Sequence, residues 1–249
     1  MWRMSFVRFA KLLLNKKIYG AIKNLYDHVF GRAKASPLTY WKMRTAAYGR
    51  RAVLNLGHSD EEFDEVTAIQ KKTIYPHFKN ELTGRERLAV DLGCGPGRFT
   101  TDIALMISGR AVGLDIVPDF IEMAPLSEFV QYRTITEGVL PLPSKSVDVV
   151  WGCLVFGGLQ GNVLEITVAE TCRILSDNGL LFLVENTSKR ASGQFWHFRS
   201  IDEYKQLFPL INLRHIFDYQ DLGETISIIA GRKFEKDNLY SSNRESCQP

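Results

Sequence analysis

The hydrophobic pattern of this chain has two periods, and the change falls near residue 85. Before it, apolar residues recur every three to four positions, the spacing of amphipathic helices. Trp2, Phe6, Phe9 and Leu13 form one stripe over residues 2–14, with Arg3, Arg8 and Lys11 opposite; Ile18, Ile22, Leu25 and Val29 continue the pattern. Ser36-Pro37 marks another helix start, with serine as N-cap and proline in the first turn. That helix carries Tyr40, Trp41, Met43, Arg44 and Tyr48 and is expected to stop at Gly49. A stretch at 51–58, ending on His58, reads as a loop with apolar anchors. Ser59 and Glu62 then make a capping box ahead of Phe63, Val66, Ile69 and Gln70, a helix expected to run toward Tyr75-Pro76.

After residue 85 short apolar runs alternate with helix-periodic segments, as in an α/β domain. Runs at 88–92, 111–115, 129–134 and 146–152 read as strands, the second ending on Asp115. Pro118 starts a helix to Met123, and 163–175 is helix-periodic, closing at Asn178-Gly179. Leu180-Leu-Phe-Leu-Val184 is apolar throughout, as a strand buried on both faces requires. Ser200 and Glu203 form a second capping box, opening a helix through Tyr204 and Leu207. Runs at 213–217 and 225–230, joined by a short linker at 218–224, predict an antiparallel pair at one edge. The expected fold is α/β: a Rossmann-like, doubly wound sheet, mostly parallel with an antiparallel edge strand, plus N-terminal helices. Four units follow from this pattern: a basic helical arm at 1–35, a helical cap at 36–84, a core at 85–233 and a polar, disordered tail at 234–249.

Composition narrows the class. With 249 residues, 45% hydrophobic and 24% charged, the chain fits one sizeable soluble domain with an appendage. A net charge of +3 is too small to call for nucleic acid, but its placement is uneven. The first 35 residues hold Arg3, Arg8, Lys11, Lys16, Lys17, Lys23, Arg32 and Lys34 against Asp27 alone. Such an arm fits peripheral contact with an anionic membrane, packing on its own domain or a second copy, or an organelle transit peptide. No apolar run reaches the roughly 18 residues of a membrane span. Cys94, Cys153, Cys172 and Cys247 lack metal-site spacing, so a reducing compartment, the cytoplasm, is expected.

The chemistry concentrates where the first strand breaks into Gly93, Gly95 and Gly97 before a helix beginning at Phe99. Glycines there let backbone approach a ligand, and the helix start aims N–H groups at it. A dinucleotide fingerprint would need a third glycine at position 98, which is Arg98. Asp91, ahead of the glycines, can pair with the ammonium of a methionine moiety. Asp115, at the end of the second strand, can accept both ribose hydroxyls of a nucleoside, whether that belongs to NAD or to S-adenosylmethionine.

Taken together, Val90-Asp-Leu-Gly-Cys-Gly-Pro-Gly-Arg98, Asp115, the segment 140–151 leading into the fourth strand and Arg173-Ile-Leu-Ser-Asp-Asn-Gly-Leu-Leu181 resemble class I S-adenosylmethionine-dependent methyltransferases of the small-molecule type. The resemblance covers about residues 85–232 and implies S-adenosylmethionine as donor. It implies an adenine contact at Thr136 or Glu137, with Arg44 available to the methionine carboxylate. Relatives often carry a histidine after the fourth strand; here 153–159 has none.

An oxygen nucleophile would need a general base. Loops after strands offer Glu185, which directly follows the fifth strand, and His197, among Phe195, Trp196 and Phe198. His58 falls in the cap, while His28, His77 and His215 read as structural. The expected function is methyl transfer to a small-molecule, sugar- or lipid-linked acceptor. The alternatives are a non-catalytic protein that binds the donor or a partner, and an NAD(P)-dependent reductase, which Arg98 and the lack of a Tyr-x-x-x-Lys pair disfavour.

Overall fold

The computed structural model describes residues 36–136, 138–193 and 195–234. The arm at 1–35, Glu137, Gln194 and the tail beyond Phe234 lie outside the described residues. Helix α1 spans Pro37–Tyr48: the Ser36 hydroxyl accepts the Thr39 N–H at 3.2 Å, and Gly49 ends the helix at a φ of +53°. A 3-10 turn, Gly49–Val53, leads into the loop that holds His58. Helix α2, Phe63–Glu81, begins after the Ser59–Glu62 pair, of which one half forms: Glu62 accepts the Ser59 N–H at 2.7 Å. The helix runs through Pro76 rather than stopping there. An internal proline costs about 3 kcal/mol, but Ile74 and Phe78 on either side of it are fully buried. At about 1.5–3 kcal/mol each, that burial offsets the cost.

The described residues form a seven-stranded sheet in the order β3-β2-β1-β4-β5-β7-β6. Its strands are β1 (Leu88–Leu92), β2 (Arg110–Asp115), β3 (Val130–Thr134), β4 (Val147–Cys153), β5 (Leu175–Asn186), β6 (Arg214–Asp221) and β7 (Glu224–Arg232). The first five pair in parallel, and β7 runs antiparallel between β5 and β6. This is the doubly wound, mostly parallel fold read from the sequence. Because β7 reverses direction, β6 regains that of the parallel strands, and Asp221 ends on the same edge as Asp91, Asp115 and Asn186.

Alternation along the central strands supplies two cores. Ala89, Trp151 and Phe182 face α2 and α3 (Thr100–Met106), where Trp151 stacks on Phe182 at 4.8 Å and meets Phe78 edge-on at 5.0 Å. Val90, Val150 and Leu181 face α5 (Gly161–Ile174) and α6 (Ile201–Leu207), against Leu164, Ile174, Tyr204 and Phe208. Between β2 and β3 lies α4, Pro118–Met123. Helix α6 carries both halves of the Ser200–Glu203 capping box.

The closing strands are longer than their apolar runs. They absorb most of the expected linker and leave Leu222-Gly223 as the turn, with φ values of +50° and +80°. Two residues at positive φ suit the right-handed twist of a two-residue hairpin. This extension moves Asp221 from a loop to a strand end.

Candidate active site

Turn geometry at the end of β1 follows from its glycines. Gly93, Gly95 and Gly97 have φ values of +64°, +53° and +74°, which L side chains rarely adopt. A Cβ on Gly95 would also stand 2.7 Å from Val53 of the cap. The turn is tied to β2 by Asp115, whose Oδ2 accepts the Gly95 N–H and whose Oδ1 accepts the Val117 N–H, both at 2.9 Å. Each carboxylate oxygen keeps a second lone pair for a ligand. Burial raises the Asp115 pKa, and these N–H groups oppose the rise.

Asp91 is buried on β1 and accepts the Thr100 hydroxyl at 2.6 Å. Burial pushes its pKa up to about 7; the Thr100 hydrogen bond and Arg98 pull it down, and Asp115 adds to the rise. Arg98 donates to Gln70 Oε1 at 2.7 Å and sits 4.6 Å over the Phe99 ring. Burial lowers its pKa, while nearby groups including Asp91 support its charge. Asp91 and Arg98 thus set opposite charges side by side on one cavity wall. The sequence reading treated Arg98 only as a missing glycine; its role as a charged wall depends on where α2 places Gln70.

Thr136, after β3, is exposed and lines the same cavity. Glu137, its expected alternative, is outside the described residues. Arg44 lines the cavity but is also a clamp: it donates to Ala52 O at 2.7 Å, Tyr40 Oη at 3.0 Å and Leu54 O at 2.9 Å. It therefore holds α1 against the strap that follows.

Neither residue expected to act as a base is among those that line this cavity. Glu185 is fully buried behind the loop after β4. Its carboxylate accepts the N–H groups of Val155, Phe156 and Gly157 at 2.9, 2.8 and 3.2 Å, and the Tyr204 hydroxyl at 3.2 Å. Burial raises its pKa to about 7 against those donors. Its position shapes a loop. His197 donates its backbone N–H to Gly157 O at 2.7 Å; Trp196 and Phe198 on either side line the cavity, while His197 does not. Gly157 is needed here, because a Cβ would stand 2.5 Å from the Trp196 ring.

Opposite the glycine turn, the cap meets the β6–β7 hairpin. His58 Nε2 lies 2.7 Å from Asp221 Oδ1. Asn55 and Asn186 both donate to Glu224 Oε2, at 3.3 and 2.7 Å, and Arg190 pairs with the same carboxylate. Of these six side chains the sequence pointed only to His58, as a cap residue, and to Asn186, beside Glu185 after the fifth strand. The contacts between cap and hairpin span up to 169 positions and leave no local signal. Tyr40 stacks on Phe195 at 4.2 Å, fastening α1 over the cleft. Among the described residues the remaining histidines are His77, which stacks on Phe217, and His215, which pairs with Asp218; His28 lies outside them.

The cavity measures about 2420 Å³ and runs from Asp115 across Asp91, Arg98 and Asn186 to Asp221. Among the described residues there is no cluster suited to a metal ion, and no helix is long and apolar enough to cross a membrane.

Comparisons with known proteins agree with this geometry. Residues 90–183 match the family model described as a methyltransferase domain. No curated protein matches the chain. Among solved structures, YcgJ from Bacillus subtilis superposes with a TM-score of 0.55 at 16% identity, covering 66% of this chain and 99% of that one. An S-adenosylmethionine-dependent methyltransferase from Aquifex aeolicus gives 0.53 at 15%, covering 70% and 98%. Geranyl diphosphate methyltransferase, solved with its diphosphate and sinefungin, gives 0.55 at 14%, covering 66% and 77%. At these identities the likeness concerns the fold.

Proposed function

We propose that this chain, whose residues 90–183 match a methyltransferase domain, transfers a methyl group from S-adenosylmethionine to a small, partly apolar acceptor held beneath the cap. The donor supplies an activated methyl group on a sulfonium centre. The residues present suit it. Asp115 and the turn at Gly93, Gly95 and Gly97 hold the ribose end, and Thr136 or Glu137 meets the adenine. Asp91 pairs with the methionine ammonium. Arg98 takes the carboxylate, and Arg44 lines the same cavity. A zwitterionic ligand end meeting an opposed acid and guanidinium leaves neither charge buried alone.

Cavity size is the observation that carries the acceptor half of this reading. Ligand pockets commonly measure about 300–1,000 Å³, and about 2420 Å³ leaves room for a second molecule beside the donor. The walls of that further space include Trp41, Trp196, Phe198 and Leu222. They favour a ring or short lipid over a charged polymer; a sugar- or lipid-linked acceptor is the extended form of the same class. The cap restricts the approach, and alignment of nucleophile and methyl carbon can supply much of the catalysis.

Calorimetric titration with S-adenosylmethionine, S-adenosylhomocysteine and NADH tests the donor. Both sulfur nucleosides are expected to bind and NADH is not; silence from both would overturn the reading. Methyl-labelled donor incubated with the small-molecule fraction of a cell extract tests the acceptor, with a labelled, organic-extractable product expected. Label recovered only in protein would refute the small-molecule assignment.

A further inference from the structure

His58 and Asp221 come from segments that share no local sequence, yet they meet on the wall of the reaction cavity. His58 Nε2 is 2.7 Å from Asp221 Oδ1, with 13% and 11% of the two side chains exposed. Both are held from behind. The His58 N–H donates to Asn55 O at 3.0 Å, and its carbonyl accepts from Arg51 at 2.6 Å. Asp221 ends β6 immediately before the two-residue turn. An imidazole that donates Nε2–H to a carboxylate is fixed in the tautomer whose Nδ1 carries a lone pair. No hydrogen-bond partner occupies Nδ1 among the described residues.

The pair also shares a cavity with the donor end: His58 and Asp221 line the same cavity as Arg98 and Asp91. The charged groups around the imidazole are Asp221 from β6, Glu224 from β7 with its Arg190 partner, and Arg51 with Asp60 from the cap.

We propose that His58 is the general base of methyl transfer, that Asp221 is its positioning residue, and that the acceptor is a hydroxyl compound. This rests on the methyl-transfer reading above and specifies its nucleophile. The acceptor oxygen forms its bond to the methyl carbon as its O–H proton passes to His58 Nδ1. The electron pair of the carbon–sulfur bond leaves with sulfur, giving a neutral thioether. Asp221 stabilises the imidazolium until its proton passes to solvent. This is the acid–base role for which the sequence pointed to Glu185 and His197.

The same contact could merely latch the cap to the hairpin, and one substitution separates the roles. In His58→Gln the side-chain amide can still donate to Asp221, so the latch survives while the lone pair of Nδ1 is lost. Donor affinity by calorimetry and the thermal midpoint are expected to stay unchanged. The rate of O-methyl product formation from extract should fall by about 10²–10⁴-fold, and its rise with pH should disappear. Asp221→Asn should lower the rate with donor affinity unchanged, and Asp221→Glu should restore part of it. In the wild type, ¹⁵N signals should show the neutral ring protonated on Nε2. A wild-type rate in His58→Gln, a neutral ring protonated on Nδ1, or label attached elsewhere than oxygen overturns this inference and leaves methyl transfer standing. No labelled product from the wild-type protein overturns the acceptor reading, and this inference falls with it.

Discussion

The two ends of the cavity are built in opposite ways. The end around Asp91 and Asp115 comes almost entirely from one continuous stretch, 88–117, in which a strand, a glycine turn, a helix and a second strand follow in order. Its key contacts, Thr100 to Asp91 and Gly95 to Asp115, span 9 and 20 residues. At the other end, the cap loop meets a hairpin from the far side of the chain: His58 reaches Asp221 across 163 residues and Asn55 reaches Glu224 across 169. Local construction gives the first end its geometry as soon as β1 and β2 pair. The second end exists only when the cap closes on the finished sheet. A cofactor shared by many enzymes suits the first mode of construction, and an acceptor particular to one enzyme suits the second.

Substitutions can test this division, beginning with the most damaging. Gly95→Val forces a branched side chain into φ +53° and toward Val53. Donor heat should vanish in calorimetry while the fold, read by circular dichroism, persists; retained binding would mean that the turn does not cradle the donor. Next is Glu185→Ala, which strands three backbone N–H groups beneath the loop joining the two ends. A loss of about 3 kcal/mol in denaturant unfolding is expected.

Glu185 also gives stability a pH dependence. With its folded pKa near 7 against an ordinary 4.5, the native state holds this proton more tightly than the unfolded chain. Its contribution is full below about 4.5 and is lost as pH rises through about 7. Asp91, raised from 3.8 to about 7, acts with the same sign. Glu185→Gln should flatten the Glu185 share of the slope.

Asp91→Asn should weaken donor binding by about tenfold or more at pH 8, where the free carboxylate is ionised and the lost charge pair counts fully. In the wild type, affinity should fall as pH drops below about 7, because binding an ammonium expels the proton from Asp91. Calorimetry in buffers of different ionisation enthalpy would detect that proton, and the variant should release none. The mildest change is Asn55→Ala, which removes one 3.3 Å contact from the cap–hairpin seam. Its cost should be within about 1 kcal/mol, seen as a raised acceptor KM with donor affinity untouched. Equal losses for both ligands would erase the distinction between the two ends.

The fold was largely legible because its signals are local. Ser36-Pro37, the apolar run at Leu88–Leu92 and the Ser200–Glu203 box each set their element without help from elsewhere. Pro76 misled because the cost of a proline is visible in sequence, while the burial of Ile74 and Phe78 that offsets it is a tertiary fact. The linker expected at 218–224 became strand because pairing with β7 supplies hydrogen bonds to polar residues that lack an apolar run. Glu185 looked catalytic from its place after an apolar strand. Only the fold shows that Val155, Phe156 and Gly157 surround it.

The sequence by itself determined the doubly wound sheet, the glycine turn, and the two acids beside it, because strand periodicity, helix caps and turn chemistry act over a few residues. Tertiary structure alone decided that Arg98 faces the cavity, that Glu185 and His197 do not, and that His58 meets Asp221. Side-chain direction in a loop depends on what packs behind it, and a pair drawn from distant segments forms only after the intervening chain has folded.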